Sequence, residues 1–430
     1  MEKAKVNATA ALRKSALEAF NVGVAAADPE VALKRILDRK PIPQIKSNGC
    51  YFIVSVGKAA CKMANYFIKK LPEGSNFNAI AITNFENVIP VKGCEVMGAS
   101  HPVPCEKGLF AAREVVSRLE KATKFDIIIM LVSGGASALL PAPVNEISLH
   151  DKIHLNKILL VSGLNIYQMN LVRQSISRLK GGGVLRFAAP AQVHSYILSD
   201  VLGDDLSVIG SGPSIAPLGS VADARRLMIN KGLFTKLPLR IRLYLENASI
   251  PKLPTESINA HLIASNSNSV LAMAKAVGAT VITKPLMGDV QAAVNQIIDT
   301  LKSLNKTDSF AIAFGGETTV KIKGDGKGGR NQELALRFAI EAEGLFCRPW
   351  CFLSGGTDGI DGPTNSAGGV VDHFTLDKIR CAGGDINKLL ENNDSYNALK
   401  LSDDLILTGA TGTNVADLQL FVVGPLHSSF

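Results

Sequence analysis

The sequence predicts an α/β protein built around parallel β-sheet. Short apolar runs recur along the chain, each ends in a polar or glycine-rich turn, and a stretch with helical character usually follows. This alternation is typical of strand–helix units. The apolar runs span residues 51–56, 126–132, 194–198, 261–264, 309–314 and 350–353. Ligands of such sheets bind beyond the carboxyl ends of the strands, so we expect these turns to carry the functional groups.

Two lobes are predicted from the position of a polar segment that contains prolines. With 430 residues, the chain is long enough for two large α/β domains. Residues 237–259 separate two sets of strand–helix units, and we therefore divide the chain into residues 1–245 and 246–430. Residues 9–38 predict a helix interrupted at a proline, and residues 413–423 predict a closing strand.

The net charge and the scarcity of aromatic side chains favour small anionic ligands. The chain has 46 Lys and Arg residues against 38 Asp and Glu residues, a formal net charge of +8. The basic residues are scattered and aromatic residues make up only 6%, whereas nucleic-acid interfaces cluster both types. We therefore expect small-molecule partners and no nucleic acid. A basic surface without a binding role is the alternative.

The cysteines and the apolar segments favour a cytoplasmic protein. The seven cysteines include no Cys-x-x-Cys pair, which indicates free thiols in a reducing compartment. Residues 127–144 are uncharged and as long as a short membrane span, but a Ser-Gly-Gly turn and two prolines divide them. Residues 1–30 lack the apolar run of a secretory signal. Their acidic residues disfavour a mitochondrial presequence, so a mitochondrial location is the secondary expectation.

Two turns of the first lobe are suited to hold an anion at a helix start. Gly57-Lys58 follows the first apolar run, and Ser133-Gly134-Gly135 follow the second. A lysine there adds a positive charge to free backbone N–H groups, although neither turn matches the Walker A pattern. An ordinary tight turn is the alternative for both. When it is considered by itself, Gly57-Lys58 fits this alternative better than an anion site.

Charged residues accompany two further turns. Arg173 and Lys180 precede a triple glycine and are suited to an anionic substrate, or else to a solvated helix face that ends in a glycine cap. Asp200 follows another apolar run, where a carboxylate can bind Mg²⁺ or accept a proton from a hydroxyl group. Helix capping is the alternative for Asp200.

The densest polar and glycine-rich region lies in the second lobe. It comprises Glu317 with its preceding glycines and the string GDGKGGRNQE at residues 324–333, which contains Arg330. A structural hairpin would not need so many donors and acceptors in one place, so we predict a functional role. The loop SGGTDGIDGPT, which contains Asp358, is suited equally to a metal or ribose hydroxyls and to a backbone turn.

One ordered set of strings covers nearly the whole chain: SVGKAA, SHPVP, VSGGASALLPAP, VRQSISRLKGGG, LSDVLGDD, GSGP, GGETTV, GKGGRNQELAL, LSGGTDGIDGPT and LILTGATGTNVADLQL. In this set the chain resembles the class II glycerate 2-kinases, whose C-terminal part is called the MOFRL domain. The resemblance implies a Rossmann-like domain with a mainly parallel sheet over residues 1–245 and a mixed α/β MOFRL-type domain over residues 246–430. It also implies an active site in the cleft between the two.

The resemblance further implies transfer of the ATP γ-phosphoryl group to the 2-hydroxyl of D-glycerate, with Mg²⁺, by a monomer or homodimer that binds no membrane. The implied catalytic residues are Lys58, Asp200 and Arg330, and Asp200 is also the implied metal ligand. The phosphate-binding residues would be Ser133, Gly134, Gly135, Ser137, Gly328 and Gly329. The substrate-binding residues would be Arg173, Lys180, Glu317, Asn331 and Asp358.

Two positions depart from the family pattern. Ala136 replaces a glycine, which would disturb a phosphate contact that needs positive φ, and Gln174-Ser175 stand where a basic or His residue is frequent. One rival activity is a hydroxypyruvate reductase, but its dinucleotide fingerprint is matched only by the isolated string GDGKGG at residues 324–329. The other rival is a non-catalytic protein that binds a sugar acid or a nucleotide.

Overall fold

The computed structural model describes residues 2–46, 48–248, 259–304 and 309–424. The chain divides into two compact units. The N-terminal unit is residues 29–263, and the C-terminal unit joins residues 1–28 to residues 264–430. Each unit has an α/β architecture of its own, as the sequence predicts.

A six-stranded sheet forms the centre of the N-terminal unit. Its strands are β1 (Tyr51–Val56), β2 (Phe77–Asn84), β3 (Cys94–Ala99), β4 (Ile127–Val132), β5 (Gln192–Leu198) and β6 (Asn259–Ala264). Their spatial order is β3-β2-β1-β4-β5-β6, and β1 to β5 pair in parallel. Every residue of β4 is buried, because helices cover both faces of a parallel sheet. This order is that of the Rossmann-like fold.

Nine helices of the N-terminal unit fall within the described residues. They are α2 (Pro29–Leu37), α3 (Ala60–Lys69), α4 (Glu106–Leu119), α5 (Ala136–Leu139), α6 (Leu149–Leu160), α7 (Ile166–Ser175), α8 (Gly183–Ala188), α9 (Val221–Asn230) and α10 (Leu239–Asn247). Helices α4 and α8 pack on the sheet. Helices α6, α7, α9 and α10 enclose a second apolar core of their own.

The order of the strands reverses between β1 and β4, and this reversal positions the loops. The last residues of the two strands, Val56 and Val132, are paired in register. The loops that follow therefore begin side by side. Gly57, with φ of 125°, lies so close to Ser133 that a Cβ would be 2.2 Å from the Ser133 Oγ. Only glycine can occupy this position.

A mixed sheet forms the centre of the C-terminal unit. Its strands are β7 (Thr280–Val281), β8 (Leu286–Asp289), β9 (Phe310–Thr319), β10 (Trp350–Gly356), β11 (Gly368–Asp372), β12 (Leu405–Ile406) and β13 (Asp417–Val423). The order is β12-β11-β10-β13-β9-β7, and β8 also pairs with β9. Because β13 is antiparallel to both neighbours, its first residue, Asp417, lies opposite Gly316 of β9 and Gly356 of β10.

The helices of the C-terminal unit include one from the start of the chain. They are α1 (Glu2–Ala26), α11 (Asn266–Val277), α12 (Val290–Ser303), α13 (Arg330–Glu341), α14 (Thr375–Cys381), α15 (Ile386–Glu391) and α16 (Ser395–Leu401). Helix α1 packs against α11, β10 and β13. Its Phe20 is fully buried in a cluster with Leu353 and Leu418.

The compact units therefore differ from the predicted division at residue 245. Residues 1–28 belong with the C-terminal unit, because the apolar face of α1 is buried there. The sheet of the N-terminal unit includes β6, which lies beyond the predicted boundary. The proline-containing segment contains residues 249–258, which lie outside the described residues.

Most predicted elements agree with the structure. The predicted helical segment ends its first helix at Ala26 and begins its second at Pro29, and the predicted closing strand is β13. The uncharged segment 127–144 contains β4, a turn and α5, and no described helix is long and apolar enough to cross a membrane. Six of the described strands are missing from the sequence prediction: β2, β3, β7, β8, β11 and β12. Strands β7 and β12 have two residues each, β3 is a partly exposed edge strand, and β11 begins with two glycines.

Replacement of Phe20 by alanine should destabilise the C-terminal unit. Loss of a fully buried phenylalanine and the resulting cavity should lower the free energy of unfolding by about 3–5 kcal/mol. Urea denaturation followed by fluorescence measures this, because the single tryptophan, Trp350, is in the core of the same unit. Val22→Ala, on the exposed side of α1, is the matched control and should change stability by under about 0.5 kcal/mol. Equal effects of the two variants would contradict the assignment of α1 to this core.

Candidate active site

Three loops meet at the carboxyl edge of the sheet in the N-terminal unit, after β1, β4 and β5. The amide of Lys58 donates to the carbonyl of Gly134 (2.9 Å), which joins the first loop to the second. A Cβ on Gly134 would lie 2.2 Å from the Asp200 Oδ2, so the third loop lies against the second. The structure thus brings together the predicted residues Lys58, Ser133, Gly134, Gly135 and Asp200.

The second loop presents free backbone donors next to a lysine. Within the described residues, the amides of Gly134 and Gly135 donate to no acceptor. Gly135 has φ of 85° and precedes α5, a conformation that glycine adopts without strain. The ammonium of Lys58 forms no ion pair with the part of the chain that is described. These groups form an anion-binding arrangement.

His101 adds an imidazole to this arrangement, and the sequence analysis did not select it. Its ring would lie 3.2 Å from a Cβ on Gly135, whose other neighbour is the Lys58 side chain. Burial and the positive charge of Lys58 lower the pKa of His101, which favours the neutral imidazole. The string SHPVP contains this residue, but the sequence does not indicate that it packs on the glycine turn.

Ser137, the second residue of α5, contacts a buried lysine. The Lys180 Nζ donates to the Ser137 Oγ (2.7 Å) and to the Ser137 carbonyl (2.8 Å). The Ser137 Oγ also lies 3.1 Å from the Ser211 Oγ, which donates to the Asn170 Oδ1 (2.6 Å). Lys180 is 2% exposed. The loop after β4 is therefore continuous with a polar network on α7.

Lys180 belongs to a group that we call the buried cation cluster and define as Lys152, Arg173 and Lys180. The two lysines are buried and Arg173 is half-buried. The Arg173 Nε donates to the Asn156 Oδ1 (3.3 Å), one turn along α6 from Lys152. Burial and the nearby positive charge of Arg173 together lower the pKa of Lys152 to about 8. Burial and the two other cations lower the pKa of Lys180 well below its ordinary value. No carboxylate pairs with any of the three within the described residues.

The two departures from the family pattern have structural explanations here. Ala136 has no positive φ, so alanine is tolerated at the start of α5. Gln174 donates from Nε2 to the carbonyls of Ser207 (3.0 Å) and Ser211 (3.2 Å). Its side chain therefore holds the loop that follows Asp200. Ser175 donates only to Val172 of its own helix.

In the C-terminal unit, Arg330 is engaged by two carboxylates. Its Nε and Nη2 donate to both oxygens of Asp417 (2.6 and 2.9 Å), and its Nη1 lies 2.9 Å from the Glu317 Oε1. The antiparallel register places Asp417 beside Glu317, at the start of β13. The remaining N–H groups of Nη1 and Nη2 are available to an anion. Asp417 is not among the site residues predicted from the sequence.

The N-terminus of α13 already holds a carboxylate from the chain itself. Asp361 accepts from the amides of Asn331 (3.1 Å) and Gln332 (2.8 Å). Burial raises the pKa of Asp361 to about 6, although these amides favour its charged form. The Asn331 side chain is buried and binds Asp361 and Ser354. The geometry thus gives Asn331 a positioning contact rather than an open face for substrate.

The glycine-rich loop at residues 324–329, which contains the predicted phosphate-binding residues Gly328 and Gly329, is also held by the chain. Amides of residues 323–327 donate to Asn392, Asn393 and Asp394, and the glycines are needed because they pack against this segment. Phosphate binding through most of this loop is therefore not supported. For Gly328 and Gly329 it stays a prediction, as does substrate binding by Glu317 and Asp358.

A metal site would have to be completed by the substrates. No three His, Cys, Asp or Glu side chains cluster as metal ligands among the described residues. Mg²⁺ needs fewer protein ligands, since one or two carboxylates, waters and substrate phosphates hold it in kinase sites. The Asp200 carboxylate next to the open amides of the β4 loop fits this donor set.

Comparisons with known proteins show which families and solved structures the chain is similar to. Residues 15–246 match a domain of unknown function, DUF4147, and residues 310–417 match the MOFRL family. The chain is 36% identical to the D-glycerate 2-kinase of Thermotoga maritima over 96% of this chain and 98% of the relative. It is 34% identical to a putative hydroxypyruvate reductase of Agrobacterium vitis over 94% and 93%. The crystal structure of a glycerate kinase from Thermotoga maritima has a TM-score of 0.86 and covers 96% of this chain and 99% of that chain, at 34% identity.

Replacement of Lys152 by methionine should stabilise the N-terminal unit. Folding must bury a proton-bearing lysine whose pKa falls from 10.5 to about 8, which costs about 3 kcal/mol at pH 7. The gain should be complete below pH 8 and should disappear as the pH rises from 8 to 10.5, where the unfolded lysine also loses its proton. Urea denaturation at pH 7 and pH 10, followed by circular dichroism, measures both effects. Lys157→Met, at an exposed position of α6, is the control. A loss of stability in Lys152→Met would contradict the conclusion that Lys152 is a buried charge without a partner.

Proposed function

The chain belongs to the glycerate kinase family with DUF4147 and MOFRL domains, and from this we propose that it phosphorylates D-glycerate. The donor is ATP, and the products are 2-phospho-D-glycerate and ADP. A bond forms between the 2-hydroxyl oxygen and the γ-phosphorus, and the bond from this phosphorus to the β–γ bridging oxygen breaks. The hydroxyl proton leaves to a base.

The observation that carries the proposal is the meeting of Lys58, the open amides of Gly134 and Gly135, and Asp200 at the reversal of strand order. Ligands of open α/β sheets bind at this reversal. Phosphoryl transfer needs groups that hold and neutralise the phosphates and a group that orients the acceptor. The cation and the amides serve the first need, and the carboxylate serves the second.

These groups divide the tasks of phosphoryl transfer among them. The Lys58 ammonium and the amides of Gly134 and Gly135 bind oxygens of the transferred phosphoryl group, where negative charge is highest. Asp200 orients the 2-hydroxyl and accepts its proton. When bound, Mg²⁺ would neutralise charge on the ATP phosphates, and Asp200 is the residue that would hold it. Within the C-terminal unit, Arg330 offers its unused N–H groups to an anionic part of the substrates, while Asp417 and Glu317 fix its plane.

The reductase alternative is not favoured by the one local match to a dinucleotide fingerprint. That fingerprint requires a tight turn from a strand directly into a helix, with open amides toward the pyrophosphate. Here β9 ends at Thr319 and α13 begins at Arg330, so the glycines lie in a longer loop. The amides of its first half donate to the chain, and Asp361 occupies the helix N-terminus.

The direct test is incubation of the purified protein with D-glycerate, ATP and Mg²⁺, with the product identified by phosphorus NMR and conversion by enolase. Formation of 2-phosphoglycerate is expected. Formation of 3-phosphoglycerate would retain the kinase and correct the acceptor hydroxyl. Oxidation of NADH or NADPH with hydroxypyruvate, and no phosphorylated product, would overturn the proposal in favour of the reductase.

Asp200→Asn should reduce kcat by about 10²–10⁴-fold, because the amide cannot accept the hydroxyl proton. Steady-state assays across a range of Mg²⁺ concentrations measure the loss. The matched control is Asp204→Asn in the same loop, where φ of 55° suits asparagine and activity should stay near that of the native protein. Near-normal turnover by Asp200→Asn would remove Asp200 from the base role. Recovery at high Mg²⁺ would assign it to the metal instead.

A further inference from the structure

The buried cation cluster of Lys152, Arg173 and Lys180 lacks an anion. No carboxylate among the described residues pairs with any of its members, and the Lys152 ammonium has no hydrogen-bond partner there. Lys152 and Lys180 are each 2% exposed. Burial of like charges without compensation is costly, and proteins normally pair or neutralise such groups. The cluster is therefore suited to an anion that arrives with a ligand.

The scaffold fixes the three cations in place rather than leaving them free to separate. Helix α6 begins with a capping box in which Asp151 bonds to Ser148, so this acid is committed to the helix start. The apolar sides of α6 and α7 pack in the second core through residues such as Leu155 and Val172. The polar sides then keep Lys152 and Arg173 close to each other, because the Arg173 Nε donates to Asn156, one turn along α6 from Lys152.

The position of Lys180 links the cluster to the reacting groups. Lys180 bonds to Ser137, and Ser137 follows Gly134, against which the Asp200 carboxylate lies. We propose that the cluster binds the carboxylate of the acceptor substrate while the neighbouring hydroxyl of that substrate faces Asp200. This inference rests on the proposed function and specifies its substrate class, a small 2-hydroxy carboxylate. Phosphate oxygens of the donor bind instead at Lys58 and the open amides.

The cluster predicts selectivity for a substrate with a carboxylate next to the reacting hydroxyl. A neutral acceptor such as glycerol leaves the buried cations without a counterion, and a site built for a polar group rejects the analogue that lacks it. The Arg173 guanidinium presents a planar pair of donors that matches a carboxylate. Lys152, which the sequence analysis did not select, is a specificity residue in this assignment.

The experiment compares Lys152→Met with Lys157→Met, which removes an exposed lysine of the same helix. Lys152→Met should raise KM for D-glycerate about 10–100-fold and leave KM for ATP within about twofold. The preference for D-glycerate over glycerol should fall by the same factor. Lys157→Met should match the native protein in all three measurements. A rise in KM for ATP instead would make the cluster a phosphate site, and unchanged constants would show it to be structural; either result overturns the proposal.

Calorimetric titration with D-glycerate alone separates this inference from the proposed function. If the native protein binds D-glycerate and Lys152→Met does not, the cluster is the carboxylate site even where no phosphorylation is found. If the native protein phosphorylates D-glycerate and Lys152→Met binds it equally well, the kinase stands and the cluster assignment fails. Arg173→Met serves as the second variant if Lys152→Met does not fold. It should weaken the binding of D-glycerate in the same way.

Discussion

The candidate active site of the N-terminal unit depends on the parallel pairing of β1 with β4. This pairing places Val56 and Val132 in register, so Gly57 and Ser133 leave the sheet side by side. The crossover helices leave in opposite directions from such a reversal, which opens a crevice between the loops. Without this register, Lys58 would not bond to Gly134, and the Asp200 loop would have no glycine surface to lie against.

The two units differ in whether the amides at a helix N-terminus already have a hydrogen-bond acceptor. The N-terminus of α13 is neutralised from within, since Asp361 bonds to two of its amides, and Arg330 beside it is paired with Asp417. The loop that enters α5 instead leaves the amides of Gly134 and Gly135 open. An incoming anion gains more at donors that have no partner than at donors that must give one up. This difference supports our proposal that phosphate oxygens bind in the N-terminal unit, because the amides at the start of α13 are already engaged.

Sequence patterns were sufficient where function depends on the end of a single strand. Lys58, Ser133 and Asp200 each follow a short apolar run, so their common edge could be predicted from the parallel-sheet rule. Asp417 could not be found in this way, because it begins an antiparallel strand and only the register with β9 brings it to Arg330. Lys152 could not be predicted as a site residue for a related reason. A lysine in an amphipathic helix normally reaches solvent, and only the packing of α6 on α7 shows that this one is buried.

The buried cations indicate how selectivity and stability oppose each other in this fold. A carboxylate that enters the cluster removes a repulsion already present among Lys152, Arg173 and Lys180, so binding relieves a cost of folding. Arg330 offers no such relief, because two carboxylates already compensate its charge. The electrostatic repulsion among the three cations therefore lowers the stability of the N-terminal unit without a ligand. The same repulsion would favour the complex of this unit with an anion. An apolar replacement at the cluster should therefore stabilise the apoprotein and at the same time remove a charge that the proposed carboxylate binds.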